Sequence, residues 1–275
     1  MNRKSEIHVL GSGSRGNAIL LNVGETCVLV DGGFTEPEIK RRLQRIGRNA
    51  DEIGAVIVTH SHGDHCRAGT ARMCERHSIP IHYSKTATRT LFSKLPRFRK
   101  LKDSGLAVSF ERDEPFLLGD ISVEAFELPH DARGGNVGLS VRYSHNGTSK
   151  RVAIATDLGT MPKDCLRHFI EANTIVLESN HDEQMLLRSG RPAMLIERIM
   201  SDWGHLSNRQ SSATLKAILE HSRPGTVEKV FLAHISEECN DRAIVLKAAR
   251  NVLRDSESRA RVLLTHQDKT VCSSL

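Results

Sequence analysis

The sequence has no apolar run long enough to cross a membrane. Its longest hydrophobic stretches have the length of one β-strand, well short of the roughly 20 residues that a transmembrane helix needs. No apolar segment of the kind found in secretory signals follows the first residues, Met1–Glu6. We therefore expect a protein that is neither secreted nor inserted in a membrane, and we place it in the cytoplasm.

The cysteines form no Cys-x-x-Cys pair. All six are scattered along the chain, at positions 27, 66, 74, 165, 239 and 272. In a chain without a secretion signal, such cysteines are expected to be reduced and mostly buried.

The sequence also lacks a linker. No stretch rich in Pro, Gly or Ser, no low-complexity tract and no short-period repeat divides the 275 residues. A chain of this length can bury a full hydrophobic core, so we expect one domain spanning residues 1–275. The net charge of +6 and the pI of about 9.1 suit a polyanionic partner without requiring one.

What the sequence does contain is a dense histidine motif, His60-Ser61-His62-Gly63-Asp64-His65. It follows the apolar run Ala55–Thr59, which predicts a short buried strand. A loop leaving such a strand can point His60 and His62 to one side and Asp64 and His65 to the other. One loop would then contribute to two neighbouring metal sites. Neutral imidazole and carboxylate suit zinc, iron or manganese.

Four further apolar segments end in a residue that can bind a metal ion or a substrate. These residues are Asp31, His130, Asp157 and His234. Taken singly, each is as well explained by a turn. Their shared position at the end of a predicted strand matters, because metal and substrate sites gather at strand ends in layered sheet folds.

In this order, the motifs resemble those of the metallo-β-lactamase superfamily, from about Ile7 to about His266. Three stretches are similar to its YycJ/WalJ-type subgroup, small metallohydrolases that resemble DNA 5′-exonucleases: Gly11–Asn17, Leu177–Asp182 and Gly204–Asn208. The resemblance implies an α+β fold, a four-layer αββα sandwich with a dinuclear metal site at the edge of the sheets. The alternation of apolar segments agrees with two sheets packed face to face with helices outside.

Periodicity gives the expected elements. The predicted strands are Ile7–Leu10, Ala18–Val23, Thr26–Val30, Ala55–Thr59, Ile81–Tyr83, Phe116–Leu118, Ser122–Glu127, Gly138–Tyr143, Val152–Ala155, Thr174–Leu177, Glu228–Ala233 and Arg261–Thr265. The predicted helices are Pro37–Ile46, Gly63–Arg76, Thr86–Leu95, Glu183–Arg188, Pro192–Met200, Ser207–Glu220 and Asp241–Arg254.

The resemblance also implies a ligand set for two divalent ions, zinc or manganese. One ion would be held by His60, His62 and His130, the other by Asp64, His65 and His234, with Asp157 bridging them. Cys66 is not expected to bind a metal because this set already fills both sites.

Three further residues have roles implied by the resemblance. Asp64 is expected to take part in catalysis. His205, just before a predicted helix, would contact the scissile phosphate or protonate the leaving oxygen; a helix cap is the alternative. Asp31 would orient the histidine loop from outside the ligand set.

Two patterns have more than one interpretation. Gly11–Gly16 matches G-x-G-x-x-G, but the β-pattern Asn17–Val23 follows it instead of the helix that dinucleotide binding requires. The loop either turns its N–H groups toward a phosphate or is a plain hairpin turn. Likewise, His181 and Asp182 either line the substrate pocket or belong to loop structure.

Two basic runs are candidates for nucleic-acid contact. Lys94–Lys102 interleaves cations with Phe98, which would stack on a base while the cations neutralise phosphates. Lys40–Arg42, with Arg45 and Arg48, lies on a predicted helix. A solvated protein surface is the alternative for both runs.

The leading hypothesis is a metal-dependent phosphodiesterase, a DNA 5′-exonuclease that uses a metal-bridging hydroxide. Too few residues separate Asp157 from His234 for the β-CASP domain of the large RNases of this superfamily. The expected partner is therefore DNA rather than RNA, with no membrane partner and the oligomeric state open. The alternatives are a glyoxalase-II-like thioesterase or lactonase, a small-molecule or cyclic-nucleotide phosphodiesterase, and a binding protein with an inactive site.

Overall fold

A computed structural model describes residues 5–275. The prediction about a secretory signal concerns a segment whose first four residues lie outside the described residues. The strands are β1 (Glu6–Gly11), β2 (Ala18–Val23), β3 (Thr26–Val30), β4 (Ala55–Val58), β5 (Ile81–Ser84), β6 (Ala107–Phe110), β7 (Phe116–Leu118), β8 (Ile121–Leu128), β9 (Asn136–His145), β10 (Thr148–Ala155), β11 (Thr174–Glu178), β12 (Lys229–Ala233), β13 (Arg261–Leu264) and β14 (Val271–Ser274). They form two seven-stranded sheets, ordered β14-β1-β2-β3-β4-β5-β6 and β13-β12-β11-β10-β9-β8-β7.

In the described part of the chain, eight α-helices connect or cover these strands. They are α1 (Glu36–Arg45), α2 (Ala68–His77), α3 (Thr88–Lys94), α4 (Arg97–Asp103), α5 (Glu183–Leu187), α6 (Ala193–Met200), α7 (Asn208–His221) and α8 (Arg242–Asp255). Short 3₁₀ helices occur at Ala50–Glu52, Lys85–Ala87 and Lys163–His168. Within residues 5–275, no helix combines the length and hydrophobicity needed to span a bilayer.

Each sheet contains a parallel part whose inner strands are buried on both faces. Strands β3 to β6 run parallel in the first sheet, and β10 to β13 run parallel in the second. Every residue of β4 and of β11 is buried, which explains why these strands are continuous apolar runs instead of alternating patterns.

Three groups of buried side chains define the layers. One joins the facing sides of the two sheets, with Ile57 and Val176 among its members. A second packs the first sheet against α1 and α2, and a third packs the second sheet against α7 and α8. This is the four-layer αββα sandwich, so the predicted fold class is confirmed.

The structure corrects two predictions about the elements. The helix predicted over Gly63–Arg76 begins only at Ala68, because the amides of His65 and Cys66 both donate to the His62 carbonyl and close a tight loop. The edge strands β6 and β14 were not predicted. More than half of their side chains are partly or fully exposed, so neither carries a continuous apolar signal.

The described cysteines are all free, and five of the six are buried. Cys66 packs in the core between the first sheet and its helices, and burial raises the pKa of its thiol. Its place in an apolar core agrees with the prediction that it is not a metal ligand.

Candidate metal centre

The histidine loop lies where β4 ends, clamped between the segments that follow β1 and β3. The Asn17 amide donates to the Asp64 carbonyl over 2.7 Å, and the Gly32 amide donates to the His65 carbonyl over 2.7 Å. A Cβ at Gly33 would overlap the Asp64 carbonyl. Contacts within the protein therefore hold the backbone of the loop in place.

The structure brings together the first predicted group of donors, His60, His62 and His130. One nitrogen from each ring lies within 4.8 Å of the other two, and His130 Nε2 is 3.3 Å from His62 Nδ1. His130 Nδ1 donates to the Gly204 carbonyl over 3.1 Å, which turns Nε2 toward the other rings. Burial lowers the pKa of His60 well below its usual value, so this imidazole is neutral and able to bind a cation.

The second group consists of Asp64, His65, Asp157 and His234, again with donor atoms within 4.8 Å of one another. His65 Nε2 lies 3.0 Å from Asp157 Oδ2, and His234 Nε2 lies 3.7 Å from Asp64 Oδ2. Although burial opposes ionisation, His234 and His65 hold the pKa of Asp157 well below its usual range. The carboxylate of Asp157 is therefore ionised.

Asp157 lies between the two groups. Its Oδ1 is 4.0 Å from His130 Nε2 of the first group and 3.6 Å from His234 Nε2 of the second. Its carboxylate is therefore close to donor atoms of both groups, and its bridging role stays a prediction.

Asp31 contacts the histidine loop from outside the two donor groups. Its carboxylate accepts from the Thr59 amide over 2.9 Å and from His65 Nδ1 over 2.7 Å. The residue directly follows β3 and has a left-handed conformation, with φ of 61°. Asp157 and His234 share this conformation, with φ of 61° and 52°. Such backbone strain is typical of residues held in place for a site.

The donor sets fit divalent cations. Within the described residues, His60 Nε2 and His234 Nε2 are buried and have no hydrogen-bond partner. An unpaired buried polar atom is costly, and a metal ion bound by imidazole nitrogens and carboxylates would remove that cost.

Glu178 is the functional residue that sequence reasoning missed. It ends β11 and is fully buried, and its Oε1 accepts from His205 Nδ1 over 2.9 Å and from His234 Nδ1 over 2.8 Å. Its Oε2 accepts from the amides of Leu158 and Leu206, each over 3.1 Å. Although burial opposes ionisation, His205 and His234 lower the pKa of Glu178 to about 2. Glu178 lies at the end of a strand, and this same sequence feature led to the prediction of Asp157.

His205 lies beside both groups. Its ring centroid is 5.2 Å from that of His130 and 5.1 Å from that of His234. Because Nδ1 is held by Glu178, Nε2 is left to meet a substrate. The ring lines a pocket of about 160 Å³ together with Ser14, Asn180, Arg191 and Arg198.

Only part of the glycine-rich loop faces the pocket. The amides of Ser12, Gly13 and Gly16 donate to protein oxygens, whereas Ser14 of the same loop lines the pocket with His205. His181 and Asp182 are not among the residues lining the pocket, and Asp182 instead caps α5 by accepting from the Met185 amide over 2.9 Å. The contact of Asp182 is that of loop structure.

The two basic runs also differ from expectation. Phe98 is fully buried against Tyr83 and Phe92, so the prediction that it stacks on a base is wrong. Arg97 pairs with Glu75.

In the other run, Arg42 is buried and donates to the carbonyls of Leu10 and Gln267 over 2.6 and 2.8 Å. Lys40 and Arg41 pair with Glu36 and Glu38 of the same helix. This run serves the fold.

A comparison with known protein families shows the family of this chain. The family described as Beta-lactamase superfamily domain matches residues 26–235, about three quarters of the chain. The chain belongs to the beta-lactamase superfamily.

Two curated relatives place the chain within that superfamily. Exodeoxyribonuclease YycJ from Bacillus anthracis is 27% identical over 251 residues, covering 90% of this chain and 88% of the relative. Exodeoxyribonuclease WalJ from Streptococcus pneumoniae is 28% identical over 251 residues with the same coverage. The predicted resemblance to the YycJ/WalJ-type subgroup is thereby confirmed.

A solved structure confirms the superfamily fold. The metallo-beta-lactamase fold protein YhfI from Bacillus subtilis superimposes with a TM-score of 0.70 at 16% identity, covering 98% of this chain and 100% of that chain. Family membership and the two groups of His and Asp donors together support a metal-dependent hydrolase.

Proposed function

We propose that the protein is a dinuclear metal-dependent phosphodiesterase that degrades DNA as a 5′-exonuclease. The observation that carries this proposal is the position of His205, held by a buried ionised carboxylate beside both groups of metal donors. The relatives named as exodeoxyribonucleases, which match 90% of the chain, support DNA as the substrate. The net charge of +6 favours a polyanion in the same way.

In this proposal, one ion is held by His60, His62 and His130. The other is held by Asp64, His65 and His234, with Asp157 shared. When bound, two divalent ions supply an activated water and offset the negative charge that develops on the phosphate. Zinc and manganese both suit this donor set.

The chain's own groups then complete the site. Glu178 accepts from Nδ1 of His205 and fixes the plane of its ring. Although burial opposes protonation, Glu178 raises the pKa of His205, which favours a protonated ring that can donate to the leaving oxygen or bind the phosphate. Arg198, held by Asp131, and Arg191, held by Glu238, line the same pocket and present N–H donors at its wall.

The direct test is a substrate panel. Single-stranded DNA labelled at its 5′ end, labelled RNA, a cyclic dinucleotide and a thioester are incubated with the zinc or manganese enzyme. We expect release of labelled mononucleotide from DNA as the fastest reaction. Faster hydrolysis of the thioester or of the cyclic dinucleotide would contradict the proposal, and so would shortened strands that still carry the 5′ label, because these would show degradation from the 3′ end.

A further inference from the structure

A second positively charged cavity lies outside the site described so far. It has a volume of about 390 Å³ and is lined by Arg89, Thr90, Ser93, Lys94 and Arg133. We call it the cationic cleft. Two of its sides are α3, which carries Arg89 to Lys94, and the loop after His130, which carries Arg133.

The cleft adjoins the histidine loop. Lys94 Nζ donates to the Ser61 carbonyl over 3.3 Å, and Ser61 Oγ donates to the Arg133 carbonyl over 3.1 Å. Ser61 stands between His60 and His62, so the wall of the cleft and the first group of metal donors share one short segment of backbone.

The charges of the cleft are not neutralised by the protein. Within residues 5–275, no carboxylate lines the cleft, and none of Arg89, Lys94 and Arg133 lies within 4.0 Å of a carboxylate oxygen. Other arginines near the site differ in this respect, since Arg97 pairs with Glu75 and Arg198 pairs with Asp131. Three unpaired cations around one cavity repel one another, and a bound anion removes that repulsion.

We propose that the cationic cleft binds the phosphodiester backbone of the substrate strand, at a phosphate further along the chain than the one that is cut. This inference rests on the proposed function, since it takes DNA as the substrate. Arginine and lysine recognise phosphates through charge-assisted hydrogen bonds. The contacts carry no base specificity, as a nuclease that processes any sequence requires.

The test compares two double variants that each remove two exposed positive charges. Lys94→Ala with Arg133→Ala removes two of the three cations of the cleft, and Arg99→Ala with Lys100→Ala removes charges from α4, outside it. For a single-stranded oligonucleotide we expect the cleft variant to raise KM by roughly tenfold with kcat unchanged. Its plot of log kcat/KM against log salt concentration should flatten by about 1.4, because each lost phosphate contact accounts for about 0.7 of the slope.

The matched variant and a small substrate separate the outcomes. The Arg99 and Lys100 variant should keep the wild-type slope, and Lys94→Arg with Arg133→Lys should restore it. Hydrolysis of bis-p-nitrophenyl phosphate should be the same in all variants, since this substrate is too short to reach the cleft.

Three results would overturn the inference. Equal flattening in both double variants would show only general attraction by the protein's charge. A loss on bis-p-nitrophenyl phosphate would show that Lys94 supports the histidine loop instead. If wild-type protein cleaves bis-p-nitrophenyl phosphate but no DNA, the proposed function fails, and the DNA-binding role of the cleft fails with it.

Discussion

At the scale of single residues, the chemistry depends on which imidazole nitrogen the protein holds. Asp31 accepts from Nδ1 of His65, the Gly204 carbonyl accepts from Nδ1 of His130, and Glu178 accepts from Nδ1 of His234. In each case Nε2 is directed to the centre of the donor groups. The tautomer of each ring is thereby set before a metal ion arrives.

The His205→Ala variant tests the role of this residue. We expect both metal ions to remain, because His205 belongs to neither proposed ligand set, and turnover on DNA to fall roughly 10²–10⁴-fold. The loss should be smaller with a p-nitrophenyl ester, whose leaving group needs no proton. Equal losses on both substrates would leave only phosphate contact as its role, and unchanged turnover would return His205 to a structural one.

The Glu178→Gln variant tests the carboxylate behind His205 and His234. An amide in place of the carboxylate turns an NH₂ group toward at least one of the four donors that Glu178 now satisfies. We expect the free energy of unfolding to fall by about 1–3 kcal/mol and turnover on DNA to fall with it. Glu197→Gln, at an exposed position on α6, is the control and should match wild type. A Glu178→Gln enzyme with wild-type turnover would refute the positioning role.

At the scale of secondary-structure elements, the site is built from strand ends. β3 leads to Asp31, β4 to the histidine loop, β10 to Asp157, β11 to Glu178 and β12 to His234. Because β3 and β4 are parallel neighbours, as are β10, β11 and β12, their ends meet at the same edges of the two facing sheets. Residues far apart in sequence therefore converge.

The loop packing predicts unequal effects of two glycine substitutions. Gly33→Ala places a methyl group on the Asp64 carbonyl, a backbone atom that cannot move without shifting His65. We expect this variant to lose at least one metal ion. Gly63→Ala, inside the histidine loop itself, meets no atom within 4 Å and should bind metal normally. Metal content by mass spectrometry separates the two, and equal metal content would contradict the packing argument.

Strand ends were predictable from sequence because apolar runs and the residue types that follow them are both local features. The role of Glu178 was not predicted, because only His and Asp residues were considered as candidates at the ends of the predicted strands. The burial of Phe98 was missed for another reason. Phe98 and Leu101 lie three residues apart on α4 and face the core together, a helical period hidden among four cations.

The start of α2 could not be read from the sequence. Residues 63–67 carry no helix-breaking proline, and their loop form depends on contacts with Asn17 and Gly32, far away in the chain. The sequence also does not indicate that Lys94 and Arg133 face one cavity. Between them lie 38 residues, and only the fold brings the two side chains together.

At the scale of the whole molecule, the site exists only where the two sheets meet. The first sheet supplies the histidine loop, and the second supplies Asp157 and His234. One group of buried side chains joins the two sheets throughout. We propose for this reason that residues 1–275 form one domain, in which neither half binds both metal ions alone.

The central claim is that this chain holds two catalytic metal ions between its sheets. Its most direct test is a titration in which chelator-treated wild-type protein is given zinc or manganese and cleavage of 5′-labelled single-stranded DNA is followed. The account predicts activity that rises to a maximum near two ions per chain, and an Asp157→Ala variant that loses at least one ion and most of its activity. Wild-type protein that binds no transition metal, or that cleaves DNA equally well without one, would contradict the account.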